Sequence, residues 1–389
     1  MRCLVLLLII LTNQVANAAW YADPDFIYRQ KITIDAGQVD ADLTDFPIYL
    51  NTDDLSSGFY THALSTCADV RITKSDETTE VPREIVFCDG TNGEIHFKAS
   101  GTLSSTINGD FYIYYGNGSA ADYATSATYG AENVWDSNYA AVYHLQEDPS
   151  GSAPQMLDST SNSYDGTSAG SMTSGDSVAG KLAGNSLDLD GSNDDILIGT
   201  TPDWAITDTF TWQTWIKTSI GTGTKTIIGD GNSSSPYDGI NFFLNSGALH
   251  CSMVPTSGIP NSFSRKGTNT YADGAWHSMV LTYAGTSAPT GITLYEDGVE
   301  PTYSVSSGTW SGSFSIARDL QLGTKGTADN WNGGLDEVRL SNIVRTATWV
   351  STEYNNQSSP STFYSVGTEE TDTAIADDSG ANKRNGIVF

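Results

Sequence analysis

The chain has 389 residues, of which 18 are Lys or Arg and 46 are Asp or Glu, so its formal net charge is -28. Nucleic acid and anionic membranes are poor partners for such a chain, because binding to either needs positive charge that displaces counterions. The length allows two or three domains with full hydrophobic cores, and the charge suits divalent cations better than polyanions.

The first residues are typical of a secretory signal peptide. Arg2 precedes an apolar run at residues 4–11, and the small-residue segment Ala16–Ala18 follows it. An apolar run of this length is too short to span a bilayer, so we expect residues 1–18 to be removed on export. No second long apolar run follows, which predicts a mature protein without membrane insertion. Its expected location is secreted or at the cell surface, with the periplasm as the alternative.

Short runs of alternating apolar and polar residues, bounded by Gly, Asn, Asp and Ser, follow along the mature chain. This pattern is typical of an antiparallel β-sandwich or barrel. In a first region, residues 19–120, we predict strands near residues 28–34, 46–50, 70–73, 84–87, 95–98 and 111–115. Cys67 and Cys88 each lie beside a predicted strand, and an exported chain meets an oxidising compartment. We therefore expect a disulfide between them.

A second region follows a stretch rich in Ala, Ser, Thr and Gly, which predicts a linker at residues 121–140. In the second region, residues 141–370, the clearest strand patterns lie at 210–217, 277–283, 292–295 and 320–322. Residues 371–389 are polar and lack periodicity, which predicts a tail. The predicted fold class is all-β, with two antiparallel β-sandwich domains.

Two acidic segments of the second region carry carboxylates where the strand pattern places apolar residues. Asp194 has the parity of Ile196, and Asp336 has the parity of Val338. Successive strand side chains point to opposite faces, so each acid should lie within an apolar face or at its edge. A carboxylate in that position must be protonated, hydrogen-bonded, paired or bound to a metal. Two such acids in one fold suggest a shared cation.

Sequence landmarks in both regions match known families. In the second region they are, in order, residues 143–145, 158–162, 187–198, 210–217, 276–277, 294–298 and 334–339. They resemble the laminin-G-like, concanavalin A-like jelly-roll superfamily in its secreted bacterial form. In the first region, residues 28–29, 45–47, 68–71, 81–85 and 114–117 resemble the family catalogued as domain of unknown function 2341, a sandwich without an established function.

The resemblance of the second region implies a jelly-roll sandwich that often carries calcium. Calcium takes about six to eight oxygen ligands from carboxylates, carbonyls and water. The resemblance places the ion among the acids of the two segments, so Asp194 and Asp336 should approach each other and share it. Asp158 and Asp190 are further candidates, because both lie in turn sequences beside the predicted neighbouring strands. The alternative is that these acids cap turns by accepting hydrogen bonds from backbone amides.

Nine tryptophans raise the question of carbohydrate binding, because sugar sites stack aromatic rings on apolar sugar faces. Trp204, Trp310 and Trp331 lie near Gly, Ser, Thr and Asp in predicted loops, where sandwiches carry binding residues. We expect these three to form an exposed platform, whereas Trp215 and Trp276 follow strand patterns and are expected in the core.

The sequence does not favour catalysis. The chain lacks the Glu-x-Asp-x-x-Glu run of jelly-roll glycoside hydrolases. Asp336 and Glu337 should not replace it, because adjacent strand residues face opposite sides. The five histidines show no zinc-binding spacing: His62, His96, His144, His250 and His277. A structural role is expected for His144 and His277, which follow Tyr and Trp in strand patterns.

These patterns predict a secreted, non-catalytic binding or adhesion protein that depends on calcium and recognises a glycan or a cell-surface protein. The alternative is a structural or assembly component of the cell envelope or of an extracellular appendage. A carbohydrate-active enzyme with an unfamiliar site is the third class.

Overall fold

The computed structural model describes residues 21, 25–231, 238–256, 261–310, 318–326 and 329–372. The predicted signal peptide and most of the predicted tail lie outside these residues. Within them, antiparallel strands dominate, as the alternating patterns predict. None of the described helices is long and apolar enough to cross a bilayer.

The strands of the described residues are, in chain order, β1 (Tyr28–Ile34), β2 (Leu43–Asn51), β3 (Arg71–Lys74), β4 (Arg83–Cys88), β5 (Gly93–Leu103), β6 (Gly109–Tyr115), β7 (Tyr139–Tyr143), β8 (Thr167–Ala169), β9 (Ser177–Ala179), β10 (Asn185–Asp190), β11 (Asp195–Gly199), β12 (Thr209–Lys217), β13 (Thr224–Gly231), β14 (Gly239–Asn245), β15 (Ala248–Val254), β16 (Phe263–Gly267), β17 (Trp276–Ala284), β18 (Ile292–Glu296), β19 (Tyr303–Gly308), β20 (Leu320–Leu322), β21 (Asn332–Ser341), β22 (Tyr364–Val366) and β23 (Glu370–Thr371). The α-helices are α1 (Phe59–His62), α2 (Ala347–Ser358) and α3 (Pro360–Phe363).

The first sandwich packs two sheets face to face. Sheet 1 has the order β22-β1-β6-β3, with β23 also paired to β1, and sheet 2 has the order β2-β5-β4. Alternate residues of each strand fill the core between them, including Ile32, Ile72, Ile48 and Phe97. A period of two residues is expected of strands that place one face on a core.

The second sandwich is larger. Sheet 3 has the order β18-β17-β12-β21-β10-β9, with β7 also paired to β21. Sheet 4 has the order β19-β16-β15-β14-β13-β20-β11-β8. Their shared core contains Trp212, Phe242, Leu281 and Leu340. The prediction of two antiparallel β-sandwiches is confirmed.

The chain returns to the first sandwich at its C-terminal end. The sequence expectation ends the second region at residue 370, whereas β22 and β23 pair with β1 in sheet 1. The expected linker at 121–140 also contributes to the first sandwich, because Trp135 packs in its core. The first sandwich is therefore completed by residues from both sides of the second.

Helix α2 lies between the two sandwiches. Trp349 packs against Phe46 of β2, with ring centroids 5.0 Å apart. The side-chain amide of Asn356 bonds both the N–H and the C=O of Tyr49, at 2.7 and 2.9 Å. On the other side, Gln357 accepts a hydrogen bond from the Trp215 indole of sheet 3. The helix therefore links β2 of the first sandwich with sheet 3 of the second.

The predicted disulfide is confirmed. Cys67 and Cys88 are bonded, with their Cα atoms 6.0 Å apart. The bond joins the segment before β3 to the end of β4, so it ties the two sheets of the first sandwich together. Its role is structural, because a cross-link of this kind restricts the unfolded chain and so stabilises the folded state.

Candidate functional site

Strand β21 contains a bulge that turns two adjacent acids to the same side. Leu335 and Val338 both lie in the core of the second sandwich, although they are three positions apart. Glu337 has a φ of 50°, and the pairing of β12 with β21 shifts register beside it. One extra residue in one strand is a β-bulge. Asp336 and Glu337 therefore both leave the core face and point toward the first sandwich, where both are fully buried.

This bulge corrects two predictions. Asp336 does not share the face of Val338, and Asp336 and Glu337 do not face opposite sides. The Asp336 carboxylate accepts hydrogen bonds from the backbone N–H groups of Lys181 and Leu182, at 2.6 and 3.4 Å. Burial raises the pKa of Asp336 to about 8, and the neighbouring Glu337 carboxylate adds to that increase.

The carboxylates of Asp194 and Asp336 lie apart, contrary to the prediction that they approach each other. Asp194 lies in the turn between β10 and β11, where its carboxylate accepts the N–H of Asp190 at 3.0 Å. Asp190 pairs with Asn332, four positions before Asp336 on β21. At about 3.3 Å per strand residue, Asp336 lies about 13 Å along β21 from the position that pairs with Asp190.

The other two predicted calcium ligands cap turns. Asp158 accepts hydrogen bonds from the N–H groups of Val142, Thr160 and Tyr164. Asp190 accepts the N–H of Ser192. The four predicted acids therefore do not converge, and their geometry does not fit one shared calcium ion.

The predicted tryptophan platform does not form. Trp204 and Trp331 are 3% and 0% exposed and belong to the core of the second sandwich. Trp310 is partly buried and packs edge to face on Phe263, with centroids 5.8 Å apart. The buried rings of Trp204 and Trp331 have no free face for a ligand, because the strands beside their loops draw them into the core.

A different row of side chains lies open on the outer face of sheet 3. Asp188 of β10 pairs with Gly334 of β21, Gly334 pairs with Lys217 of β12, and Lys217 pairs with Trp276 of β17. We call these four residues the open row. Asp188, Gly334 and Lys217 each adjoin a core residue of their strand, so their own side chains point away from the core.

The Trp276 ring lies against Gly334. A Cβ atom at position 334 would lie only 2.6 Å from Cη2 of Trp276 and 3.1 Å from its Cζ2. The Lys217 ammonium lies 5.9 Å from the centre of the same ring. Gly334 therefore allows the indole to lie low across the sheet, beside an ammonium group and a carboxylate. The expectation of a core position for Trp276 is wrong, because the ring is only partly buried.

A groove of about 520 Å³ runs over the open row. Its lining also includes Val178, Thr218, Ser219 and Asn332. In the next row of sheet 3, Trp215 is covered by Tyr354 of α2, with the rings stacked at 5.8 Å. The groove begins where this cover ends. Burial raises the pKa of Asp188, and Asp176 adds to the rise while Lys217 opposes it.

A second cluster of functional groups is buried between the sandwiches. Among the described residues, one group of His, Cys, Asp and Glu side chains brings at least three ligand atoms together: Glu94, His96, His144 and Glu337. We call it the interdomain cluster. Its ligand atoms all lie within 4.8 Å of one another. Glu94 and His96 extend from the outer face of sheet 2, and His144 and Glu337 belong to the second sandwich.

Burial and the close contacts within the cluster shift the pKa values of its members. Burial raises the pKa of Glu94 well above its ordinary value, and Glu337 adds to this rise. Burial lowers the pKa of His96.

The other two members are shifted by charged neighbours. Burial alone would lower the pKa of His144, but the Glu337 and Glu84 carboxylates outweigh burial and raise that pKa. Burial alone would raise the pKa of Glu337, but His144 and the Arg339 guanidinium outweigh burial and lower that pKa.

Sequence reasoning missed both groups of residues. The open row depends on strand register, which sets four distant segments side by side. The cluster depends on the bulge in β21 and on the packing of two sandwiches. One local signal exists: Glu94 and His96 are two apart on β5, so they share a face, and Ile95 between them lies in the core.

Comparisons with known proteins agree with the fold of the second sandwich. Residues 190–351 match the family described as the Concanavalin A-like lectin/glucanases superfamily. The second sandwich is a concanavalin-type jelly roll, as the sequence predicts. No curated protein matches the chain.

Several solved structures are similar to part of the chain. The binding domain of Paraclostridial Mosquitocidal Protein 1 has 14% identity and a TM-score of 0.42, over 56% of this chain and 52% of that one. The Botulinum Neurotoxin serotype G binding domain has 14% identity and a TM-score of 0.41, over 56% and 50%. The serotype D binding domain has 13% identity and a TM-score of 0.41, over 57% and 52%. The match spans about half the length of each structure.

Proposed function

We propose that the protein is a secreted, non-catalytic carbohydrate-binding protein and that the groove over the open row is its ligand site. The observation that carries the proposal is the Trp276 ring lying on Gly334 beside Asp188 and Lys217. The lectin-like fold of the second sandwich supports binding, and the signal-peptide pattern of residues 1–18 supports secretion.

The chemistry of the groove suits a sugar. An aromatic ring provides a flat apolar surface for the C–H face of a pyranose, and burying that face removes apolar area from water. Asp188 accepts hydrogen bonds from hydroxyl groups, and Asn332 and Lys217 donate them. The volume of about 520 Å³ lies within the range of small-molecule sites.

The charge of the chain favours a neutral glycan. A net charge of -28 repels sulfated and uronic-acid polysaccharides at long range. Glycoside hydrolysis needs two carboxyl groups about 5–9.5 Å apart. Among the described residues that line the groove, Asp188 is the one carboxylic acid. The groove therefore has the groups for binding a sugar but not the usual pair for cleaving one.

A glycan array tests the proposal. The purified protein should bind a neutral oligosaccharide, and Trp276→Ala should weaken binding about 30-fold, since buried aromatic anchors are worth about 2 kcal/mol. Trp310→Ala is the matched control, because Trp310 lies outside the groove and should leave affinity unchanged.

Three results would contradict the proposal. Binding that is lost in Trp310→Ala but retained in Trp276→Ala would place the ligand elsewhere. Turnover of the bound oligosaccharide would show an enzyme. Absence of glycan binding, together with polymerisation of the protein or capture of a specific envelope component, would favour the structural role.

A further inference from the structure

We propose that the interdomain cluster binds one divalent transition-metal ion, held by Glu94 and His96 of the first sandwich and by His144 and Glu337 of the second. This inference is independent of the proposed glycan site, which lies on a different part of sheet 3.

The distances suit a shared ion. Nε2 of His96 lies 2.9 Å from Oε1 of Glu94, and Nδ1 of His144 lies 3.4 Å from the same oxygen. Nδ1 of His144 lies 2.5 Å from Oε1 of Glu337, and the ligand atoms of all four residues lie within 4.8 Å of one another. Donor atoms bound tetrahedrally to one zinc ion at about 2.0–2.2 Å lie about 3.4 Å apart. The distances within the cluster, from 2.5 Å to at most 4.8 Å, bracket this value.

The outer oxygen atoms of the two carboxylates in the cluster are held by other side chains. Gln146 donates to Oε2 of Glu94 at 3.1 Å, and Arg339 donates to Oε2 of Glu337 at 2.6 Å. Each carboxylate therefore keeps its other oxygen toward the cluster. Second-shell hydrogen bonds of this kind orient metal ligands and tune their affinity.

His144 has the carboxylate partner that is common behind a metal-bound histidine. Its Nε2 lies 3.4 Å from Oε2 of Glu84. Glu84 is itself fixed by the Trp135 indole N–H at 2.8 Å and by the Ser159 hydroxyl at 2.6 Å. The ring of His144 is therefore oriented with Nδ1 toward the cluster, as a metal ligand requires.

The surroundings of the cluster are acidic, which suits a cation. The buried carboxyl groups in and beside it are Glu84, Glu94, Asp336, Glu337 and Glu353. Among the described residues, Arg339 is the permanently charged side chain that bonds these carboxyl groups. It donates hydrogen bonds to Glu337 and Glu353. Ionised carboxylates out of water are costly unless they are paired or bound to metal. A divalent ion would pair with the carboxylates of Glu94 and Glu337, the two members of this set that would bind it.

The ligand types select the class of metal. Imidazole nitrogens with carboxylates suit zinc, iron, manganese or nickel, whereas calcium prefers oxygen ligands alone. A pocket of about 390 Å³ lined by Glu84, His144, Gln146 and Ser159 reaches the cluster from one side. That pocket gives the ion an entry path.

Metal analysis and thermal unfolding test the inference, with Zn²⁺ as the probe. The purified protein should contain about one transition-metal ion per chain. After chelation, Zn²⁺ should raise the melting temperature by several degrees, because it binds the folded state, and Ca²⁺ should give no comparable shift.

Single substitutions test which residues hold the metal ion. His96→Gln should lower metal occupancy at least tenfold. His277→Gln is the matched control, because His277 pairs with Asp273 and Asp297 outside the cluster. It should keep the wild-type occupancy. Glu84 is a positioning residue here, so Glu84→Gln should weaken Zn²⁺ affinity about 10–100-fold without abolishing binding.

The inference is overturned if folded wild-type protein holds less than a tenth of an equivalent of metal and Zn²⁺ does not shift its melting temperature. Unchanged occupancy in His96→Gln would overturn it as well. If that variant does not fold, the absorption spectrum of cobalt-loaded wild-type protein decides. A four-coordinate spectrum supports the site, and the spectrum of hydrated Co²⁺ contradicts it.

Discussion

Gly334 shapes the groove as much as the charged and aromatic side chains beside it. It pairs with Asp188 on one side and with Lys217 on the other, and the Trp276 ring occupies the space over it. A residue without a side chain in a central strand often marks a close approach by another group. Here the approaching group is the indole that we propose as the sugar platform.

Gly334→Ala should weaken glycan binding about 5–10-fold, which corresponds to about 1–1.4 kcal/mol. The new methyl group would lie 2.6 Å from the Trp276 ring and would displace it. Titration calorimetry measures the change. Gly118→Ala is the control, because a Cβ there meets nothing within 4 Å. Equal affinities for both variants would show that the position of the indole does not matter.

Some single-residue predictions succeeded because they needed only local information. The disulfide required two cysteines beside strands in an exported chain, and Cys67 and Cys88 are bonded. The tryptophan platform failed because loop-like neighbours say little about where a large ring packs. Trp331 comes directly before β21, yet it is fully buried, because burying an indole removes much apolar area from water.

The bulge in β21 shows the limit of reading a strand by alternation. A strict period of two places Asp336 with Val338. One extra residue at Glu337 reverses that parity, so both acids turn outward and reach the first sandwich. Nothing in GLDEVRL marks the bulge, since Glu337 is neither Gly nor Asn. Asp194 and Asp336 are both buried, as expected, but the bulge and the strand register keep their carboxylates apart.

Helix α2 was missed for a related reason. Its buried positions include Thr352, Glu353, Asn356 and Gln357, which are polar. A helix that packs against one core shows an apolar stripe, but α2 lies between two sandwiches and bonds both through side-chain amides. Its sequence therefore lacks the pattern that predicts a helix.

Strand β15 carries a histidine that should make stability depend on pH. His250 packs on Phe243 with ring centroids 4.5 Å apart, and burial lowers its pKa to about 4, with Lys266 adding to the effect. An unfolded histidine has a pKa of about 6.5. Between these values only the unfolded chain takes up the proton, so stability falls as pH decreases from 6.5 to 4, by up to about 3 kcal/mol.

His250→Phe should remove this part of the pH dependence, because phenylalanine keeps the ring contact and does not titrate. Urea unfolding at pH 7 and at pH 4.5 measures it. The difference between the two pH values should be smaller in the variant than in the wild type. Parallel curves for the two proteins would show that His250 protonates equally in the folded and unfolded states.

The two sandwiches form one folded unit. Sheets 2 and 3 meet through α2 and the interdomain cluster, and β22 and β23 bring the end of the chain back to β1. The sequence predicts two sandwiches from strand patterns, but it does not predict this return. The pairing of β1 with β22 joins Ile32 to Val366, far apart in the chain.

Thermal unfolding should therefore show one cooperative transition. Removing residues 346–389 should lower the melting temperature of both sandwiches, because the first loses β22 and β23 and the interface loses α2. Calorimetry checks this, since the calorimetric and van't Hoff enthalpies agree only for a two-state transition. Two separate transitions in the full chain would show that the sandwiches fold independently.

The proposed binding groove is tested most directly by a crystal structure of the protein with a neutral oligosaccharide selected on the array. We predict a sugar ring stacked on the Trp276 indole above Gly334, with its hydroxyl groups bonded to Asp188 and Asn332. An oligosaccharide bound at any other surface, with the groove over the open row left empty, would contradict the proposed function.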